Sequence, residues 1–286
     1  MKALRAWLIL GRVSNLPTVW TNVLVAWLLS GGAFTWSSAL GWMLAGASLL
    51  YVGGTTLNDF FDVAFDREFR KERPIPSGVL SRRTVGVGCL LYFVGGIAAI
   101  LVGAQGSWIF LAGLIVAIVL YDYRHKEWVG SVFVMGGCRF FLSLVAASCV
   151  ASVIAWPVWI YAVTLFAYIV GLSFTARGES RSQSVIRWPL GLLALPLCGA
   201  VWLGVSGLSW PLASACGLFL GAVSMSLRLL KQGDDSARIG KSVALMLATI
   251  ALADAMFLAA FGAVPAMLGV AVFFMALFFQ RMVPAT

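Results

Sequence analysis

Residues with the means for chemistry concentrate in the run Asn58-Asp59-Phe60-Phe61-Asp62-Val63-Ala64-Phe65-Asp66. Asn58, Asp62 and Asp66 are spaced i, i+4, i+8, and Asp59 stands three residues before Asp62. On a helix these side chains share one face, and Phe60, Phe61, Val63 and Phe65 cover the others. Three carboxylates so close repel one another unless cations neutralise them. Hard oxygen donors at this spacing suit Mg²⁺, which commonly takes one or two carboxylates together with substrate phosphates. An isolated D-x-x-D reads more simply as a solvated helix end paired with Arg67, Arg70 or Lys71. Here, however, the acids are followed by Lys71-Glu72-Arg73-Pro74-Ile75-Pro76-Ser77-Gly78. The two prolines and the glycine stop the helix and shape a fixed loop. Lys71 and Arg73 thereby return cationic donors to the acids. Asn58, Asp59, Asp62 and Asp66 for a metal, beside Lys71 and Arg73 for phosphate oxygens, make a diphosphate-binding arrangement.

The elements that must position these residues are membrane spans. Hydrophobic residues make up 61% of the chain and charged residues 11%, and the mean hydropathy is +0.96. A soluble domain carries roughly 25% charged residues, so both a soluble fold and disorder are excluded. Ten apolar segments are long enough to be read as spanning helices: about 16–35, 38–58, 84–104, 106–122, 130–152, 156–175, 188–206, 209–230, 240–262 and 264–281. Their apolar runs do not alternate as barrel strands would. The expectation is therefore an all-α, polytopic membrane bundle of nine to ten helices, forming one domain over residues 1–286. Residues 1–13 read as an interfacial N-terminal helix, because Arg12 interrupts the first apolar run and no small-residue cleavage site follows.

Charge sets the orientation. The loops near 30–38, 105–106, 153–155, 207–209 and 263–265 hold no Lys, Arg, Asp or Glu. The opposite loops hold nearly all the basic residues, which places them inside. A formal net charge of +9 could instead suggest nucleic acid. The basic residues are split among six cytoplasmic segments, so no nucleic-acid partner is expected and the bilayer is. The motif then lies on the cytoplasmic side of a bacterial inner (plasma) membrane. The five cysteines fall inside spans without a C-x-x-C, and a zinc or disulfide framework has no support.

Polar residues within spans are costly and therefore informative. Arg139, inside the fifth span, is either the partner of a neighbouring acid or a ligand-facing cation, and the acidic motif favours the second. Asp254, in the ninth, reads as a neutral or Ser/Thr-bonded carboxyl, with a proton relay or transport site as the alternative. Asp122, Arg124 and His125 read as loop charges. Gly53-Gly54 read as a site of close helix packing.

Asn58-Asp59-x-x-Asp62-x-x-x-Asp66 followed by Arg73-Pro74-Ile75-Pro76-Ser77-Gly78 resembles the first aspartate-rich motif and following loop of the UbiA family of intramembrane prenyltransferases. More loosely, Arg12 and Asn22 resemble polar positions around that family's first helix. Tyr121 and Lys126 resemble its tyrosine–lysine pair, and Gly136-Gly137-Cys138-Arg139 its glycine–arginine feature. The resemblance implies nine spans and a prenyl diphosphate bound through Mg²⁺. It further implies an allylic cation that alkylates a hydrophobic acceptor in a cavity open to the bilayer. It adds Asn22, Lys126 and Arg139 to the diphosphate-binding residues and Asp62 and Asp66 to the catalytic ones. The family's second aspartate-rich cluster is absent. Its place reads Ser173-Phe174-Thr175-Ala176-Arg177-Gly178-Glu179-Ser180-Arg181, with Glu179 its one acid. This departure resembles the divergent branch of the family encoded in Ebo-type gene clusters. Either Ser173, Thr175 and Glu179 form a weaker metal site, or Arg177 supplies the missing positive charge, or catalysis is lost. The function expected is Mg²⁺-dependent prenyl transfer to a lipid-soluble acceptor. The alternative is a non-catalytic lipid-phosphate binder or transporter.

Overall fold

The computed structural model describes residues 2–125, 128–181, 188–204, 209–231 and 236–284. Its regular secondary structure is helical, with no strand among these residues. The helices are α1 (Lys2–Leu10), α2 (Leu16–Leu29), α3 (Ser38–Phe61), α4 (Val63–Phe69), α5 (Arg82–Ala98), α6 (Trp108–Arg124), α7 (Ser131–Ser148), α8 (Trp156–Arg181), α9 (Leu195–Leu203), α10 (Trp210–Lys231), α11 (Ser236–Leu258) and α12 (Ala263–Gln280). All ten expected apolar segments contain helix. Seven helices among the described residues, α3, α5 with its π-helical continuation to Gly103, α7, α8, α10, α11 and α12, are long and apolar enough to cross a membrane. The segments at Val13–Leu29 and Pro189–Leu203 are shorter apolar helices. The chain is thus an integral membrane bundle.

Local sequence sets the boundaries. Pro17 stands in the first turn of α2, where its missing N–H costs nothing. Ser37 caps α3 by accepting from the Leu40 N–H at 3.1 Å. Gly262, at φ 111°, separates α11 from α12. That conformation suits glycine, so the ninth and tenth apolar segments are distinct helices that fold back on each other. Close approach follows at Gly269, where a Cβ would lie 2.7 Å from Ala255 Cβ.

α8 and α11 form the centre. In them 72% and 78% of the apolar window is buried, against 22% in α10. A helix apolar on every side belongs inside a bundle, and α10 turns one side outward to lipid. A continuous core runs from Val19 of α2 to Ala276 of α12. A second core lies beside the acidic motif, where Ala6 and Leu10 of α1 meet Val63, Ile75, Leu80 and Val85. The N-terminal helix therefore clamps the loop that follows the motif. That loop also holds itself: the Ser77 N–H donates to Arg73 O at 3.0 Å and the Leu80 N–H to Pro74 O at 3.1 Å. Gly78 takes φ 75° there, the left-handed region that glycine enters freely.

The motif is not on one unbroken helix. α3 ends at Phe61, Asp62 caps it, and α4 begins at Val63. The i, i+4 register nevertheless continues, with Asp62 N donating to Asn58 O at 2.9 Å and Asp66 N to Asp62 O at 2.8 Å.

Candidate functional site

A cavity of about 530 Å³ opens where α2, α3, α6, α7, α8 and α11 meet. One end is polar, lined by Arg12, Asn58, Asp62, Arg70, Asp122, His125 and Arg177. The other is apolar, lined by Val19, Ala47, Leu50, Leu114, Leu142, Leu247 and Ile250. A single space thus joins a charged mouth to a hydrocarbon-like interior, which suits a molecule with an anionic head and an apolar tail.

The mouth is built across helices. Asn58 donates its amide to Asp122 Oδ1 at 3.3 Å and accepts from Arg12 Nη2 at 3.2 Å. His125 Nε2 lies 3.5 Å from Asp62 Oδ2, and its ring stacks on Tyr121 with centroids 5.1 Å apart. Burial works against the charge on Arg12. The acids Asp59 and Asp122 are among the neighbours that outweigh it and hold the guanidinium above its ordinary pKa. Asp122 is 4% exposed, and its Oδ2 has no hydrogen-bond partner.

Asp59 faces away from the cavity. It accepts from Arg73 Nη1 at 2.5 Å and lies 3.7 Å from Arg12 Nη2. Expected as a metal ligand and a phosphate donor, Asp59 and Arg73 instead hold each other, because a buried guanidinium needs a carboxylate more than an exposed one does. Asp66 is 1% exposed and does not line the cavity. Lys71 is exposed and also lies outside the lining. Lys126 lies outside the described residues, as does the side chain of Glu179.

Asn22 is not at the mouth. It is fully buried, accepts from Arg139 Nη1 and donates to Asp254 Oδ2 at 2.7 Å. Asp254 also accepts from Thr21 at 2.5 Å and from Tyr161 at 2.7 Å. Arg139 lines the cavity while its Nη2 donates to Thr18 Oγ1 at 3.1 Å. Both readings of Arg139 therefore meet in one residue: it faces the cavity, and through Asn22 it is tied to an acid.

At the end of α8, Ser173 and Arg177 line the cavity. Thr175 is fully buried and its hydroxyl donates to Gly171 O at 3.2 Å, so it faces no ligand. Arg177 Nη1 donates to the carbonyls of His125 at 2.7 Å and Trp128 at 3.1 Å and to Ser131 Oγ at 2.8 Å. It ties the α6–α7 connection to α8 beside the mouth.

Among the described residues no three His, Cys, Asp or Glu side chains form a ready-made metal cage. Mg²⁺ rarely needs one, because substrate phosphates and water complete its sphere. Asp62 supplies a hard carboxylate at the cavity, and Arg12 and Arg177 supply donors for phosphate oxygens. The donor set fits a Mg²⁺ that enters with a diphosphate. Asp122 and His125, read from sequence as loop charges, are part of the mouth.

Known proteins agree with this architecture. The model of the UbiA prenyltransferase family matches residues 16–241. The digeranylgeranylglyceryl phosphate synthase of Methanopyrus kandleri is 29% identical over 172 residues, which is 58% of this chain and 61% of that protein. That of Metallosphaera sedula is 40% identical over 78 residues, 27% of each. The chain thus aligns with about a quarter of the length of the second relative. Among solved structures, a UbiA homologue from Aeropyrum pernix K1 superposes with a TM-score of 0.65 at 16% identity, covering 88% of this chain and 98% of that one. A UbiA homologue from Archaeoglobus fulgidus bound to GPP and Mg²⁺ superposes with a TM-score of 0.61 at 14% identity, covering 96% and 99%. With its family match extending over most of its length, and with a bundle of the same fold around a cavity of mixed polarity, this chain belongs to the UbiA prenyltransferase family.

Proposed function

We propose that the protein transfers an isoprenyl group from a prenyl diphosphate to a lipid-soluble acceptor, with Mg²⁺ as cofactor and the reaction at the cytoplasmic face of a bacterial inner membrane. One observation carries the reading: the cavity runs from Asp62, Arg12 and Arg177 to the apolar side chains of α2, α3, α6, α7 and α11. The prenyl tail occupies the apolar part, and its burial favours binding by about 0.8 kcal/mol per CH₂. The diphosphate sits at the mouth. There Asp62 would hold Mg²⁺, which when bound would act as Lewis acid and template for the diphosphate.

Arg177 and Arg12 donate to the phosphate oxygens as charge builds on them. The bond between C1 of the prenyl chain and the diphosphate oxygen breaks, and its electron pair leaves with the diphosphate. The allylic cation is then attacked by the acceptor, which forms the new bond to C1 and loses a proton to water at the mouth. The apolar walls exclude water from the cation until the acceptor reaches it. The names of the two archaeal relatives make a prenylated glyceryl phosphate the first acceptor to try.

The test is incubation of the purified protein with Mg²⁺ and a set of labelled prenyl diphosphates. Diphosphate release is expected, with a prenylated lipid once the acceptor is present. Tight binding with no release under any acceptor would leave a binder or transporter in place of an enzyme.

A further inference from the structure

We infer that Asp122, at the cytoplasmic end of α6, is a metal-binding residue of this site and takes the place of the acids missing from the end of α8. The inference rests on the diphosphate-binding reading above. Its basis is an unspent carboxylate oxygen. Asp122 is 4% exposed and lines the cavity, yet its Oδ2 has no hydrogen-bond partner. A buried acceptor left without a partner is costly, and such an atom calls for a ligand. The other oxygen, Oδ1, is fixed by the Asn58 amide at 3.3 Å. The carboxylate is therefore held in one orientation, with one oxygen occupied and the other buried without a partner at the wall of the cavity.

The neighbouring geometry agrees. Asn58 turns its own amide oxygen to Arg12, which makes it a poorer cation ligand than its sequence position suggested. Beside Arg177, Ser173 is the polar residue of α8 in the cavity lining, and a serine hydroxyl is a weak neutral ligand. Asp62 from the junction of α3 and α4 and Asp122 from α6 are then the two carboxylates that reach this space from different helices. Two carboxylates with diphosphate oxygens form the usual donor set for Mg²⁺.

The test uses the full-length protein, inorganic pyrophosphate and Mn²⁺, whose binding is read by electron paramagnetic resonance. Asp122→Asn keeps the shape and the oxygen that accepts from Asn58. It should weaken Mn²⁺-dependent pyrophosphate binding on the order of 10–100-fold. In the presence of a chelator the sign should reverse, and Asp122→Asn should bind metal-free pyrophosphate more tightly, because an anionic wall has been removed. A purely structural role for Asp122 would weaken both together, and that result would overturn the inference. Equal Mn²⁺-dependent binding in wild type and variant would overturn it as well. Adding Ser173→Asp to Asp122→Asn should restore part of the lost Mn²⁺ affinity by returning an acid to α8. If the wild type binds pyrophosphate neither with nor without Mn²⁺, the diphosphate reading itself fails, and this outcome is distinct from the other two.

Discussion

Asp59 and Asp62 stand three residues apart and face different partners. Asp62 lines the cavity, so Asp62→Ala should abolish Mg²⁺-dependent prenyl diphosphate binding in a direct titration while leaving the fold intact. Asp59 is bound to Arg73, with side-chain exposures of 5% and 13%. Breaking a pair this buried leaves a charge uncompensated and costs about 3–5 kcal/mol. Asp59→Ala should therefore lower the thermal midpoint far more than Asp62→Ala does, and should weaken binding only through that loss. Arg177 joins the mouth to the α6–α7 connection. Arg177→Ala should reduce turnover on the order of 10²–10³-fold, the usual effect of losing one donor at a developing charge, with diphosphate binding partly retained. Unchanged turnover would mean that the cations elsewhere at the mouth suffice. The motif around Asp62 was legible in the sequence because its members are local. Asp122 was not, because its meeting with Asn58 joins positions 64 residues apart, and no spacing along the chain encodes it. The pairing of Arg73 was half legible: the loop brings it back to the acids, and the choice of Asp59 depends on which way the end of α3 is turned.

At the scale of elements, Asp254 pins four helices. Its oxygens accept from Thr21 and Asn22 of α2 and from Tyr161 of α8. Asn22 in turn accepts from Arg139 of α7. The sequence placed Asp254 in an apolar span and suggested a bonded carboxyl, and the bonds are there. What could not be read was that Asn22 belongs to this network instead of the diphosphate site, since the same residue type serves either place. Asp254→Ala would strand three buried donors at about 1–3 kcal/mol each, so it should unfold the protein at a distinctly lower temperature in detergent. Asp254→Asn keeps an acceptor oxygen and should cost less than half as much. Because Arg139 also faces the cavity, Asp254→Ala and Arg139→Leu should couple strongly in a double-mutant cycle. Additive losses would show that the two residues act apart.

For the whole molecule, ten apolar segments and a one-sided distribution of basic residues give a topology. A reporter fused at Gly32 or Gln105 should read the outside, and one at Ser182 the cytoplasm. A reporter after Thr286 should also read the cytoplasm if all ten segments cross, since Gly262 makes α11 and α12 separate antiparallel helices. An outside signal there would mean that an odd number cross, and the short helices α2 and α9 are then the first candidates to lie shallow. Nothing in the chain announced that α-helix would occupy only 14 residues of the first segment, or that the seventh would open as a 3-10 helix over Trp188–Ala194 before α9, because hydropathy reports which residues prefer lipid and not where the backbone turns.

The position of α11 in this cavity also has a consequence for synthesis. Val243, Leu247 and Ile250 close the wall, and Asp254 is linked to Arg139 through Asn22, yet α11 leaves the ribosome after α2, α7 and α8, which it must join. Until it arrives, the earlier helices hold an arginine and an unfinished polar seam within the bilayer. The half-made chain must shelter that seam against water, a chaperone or the insertion machinery, and a product released before residue 236 is a natural substrate for membrane quality control.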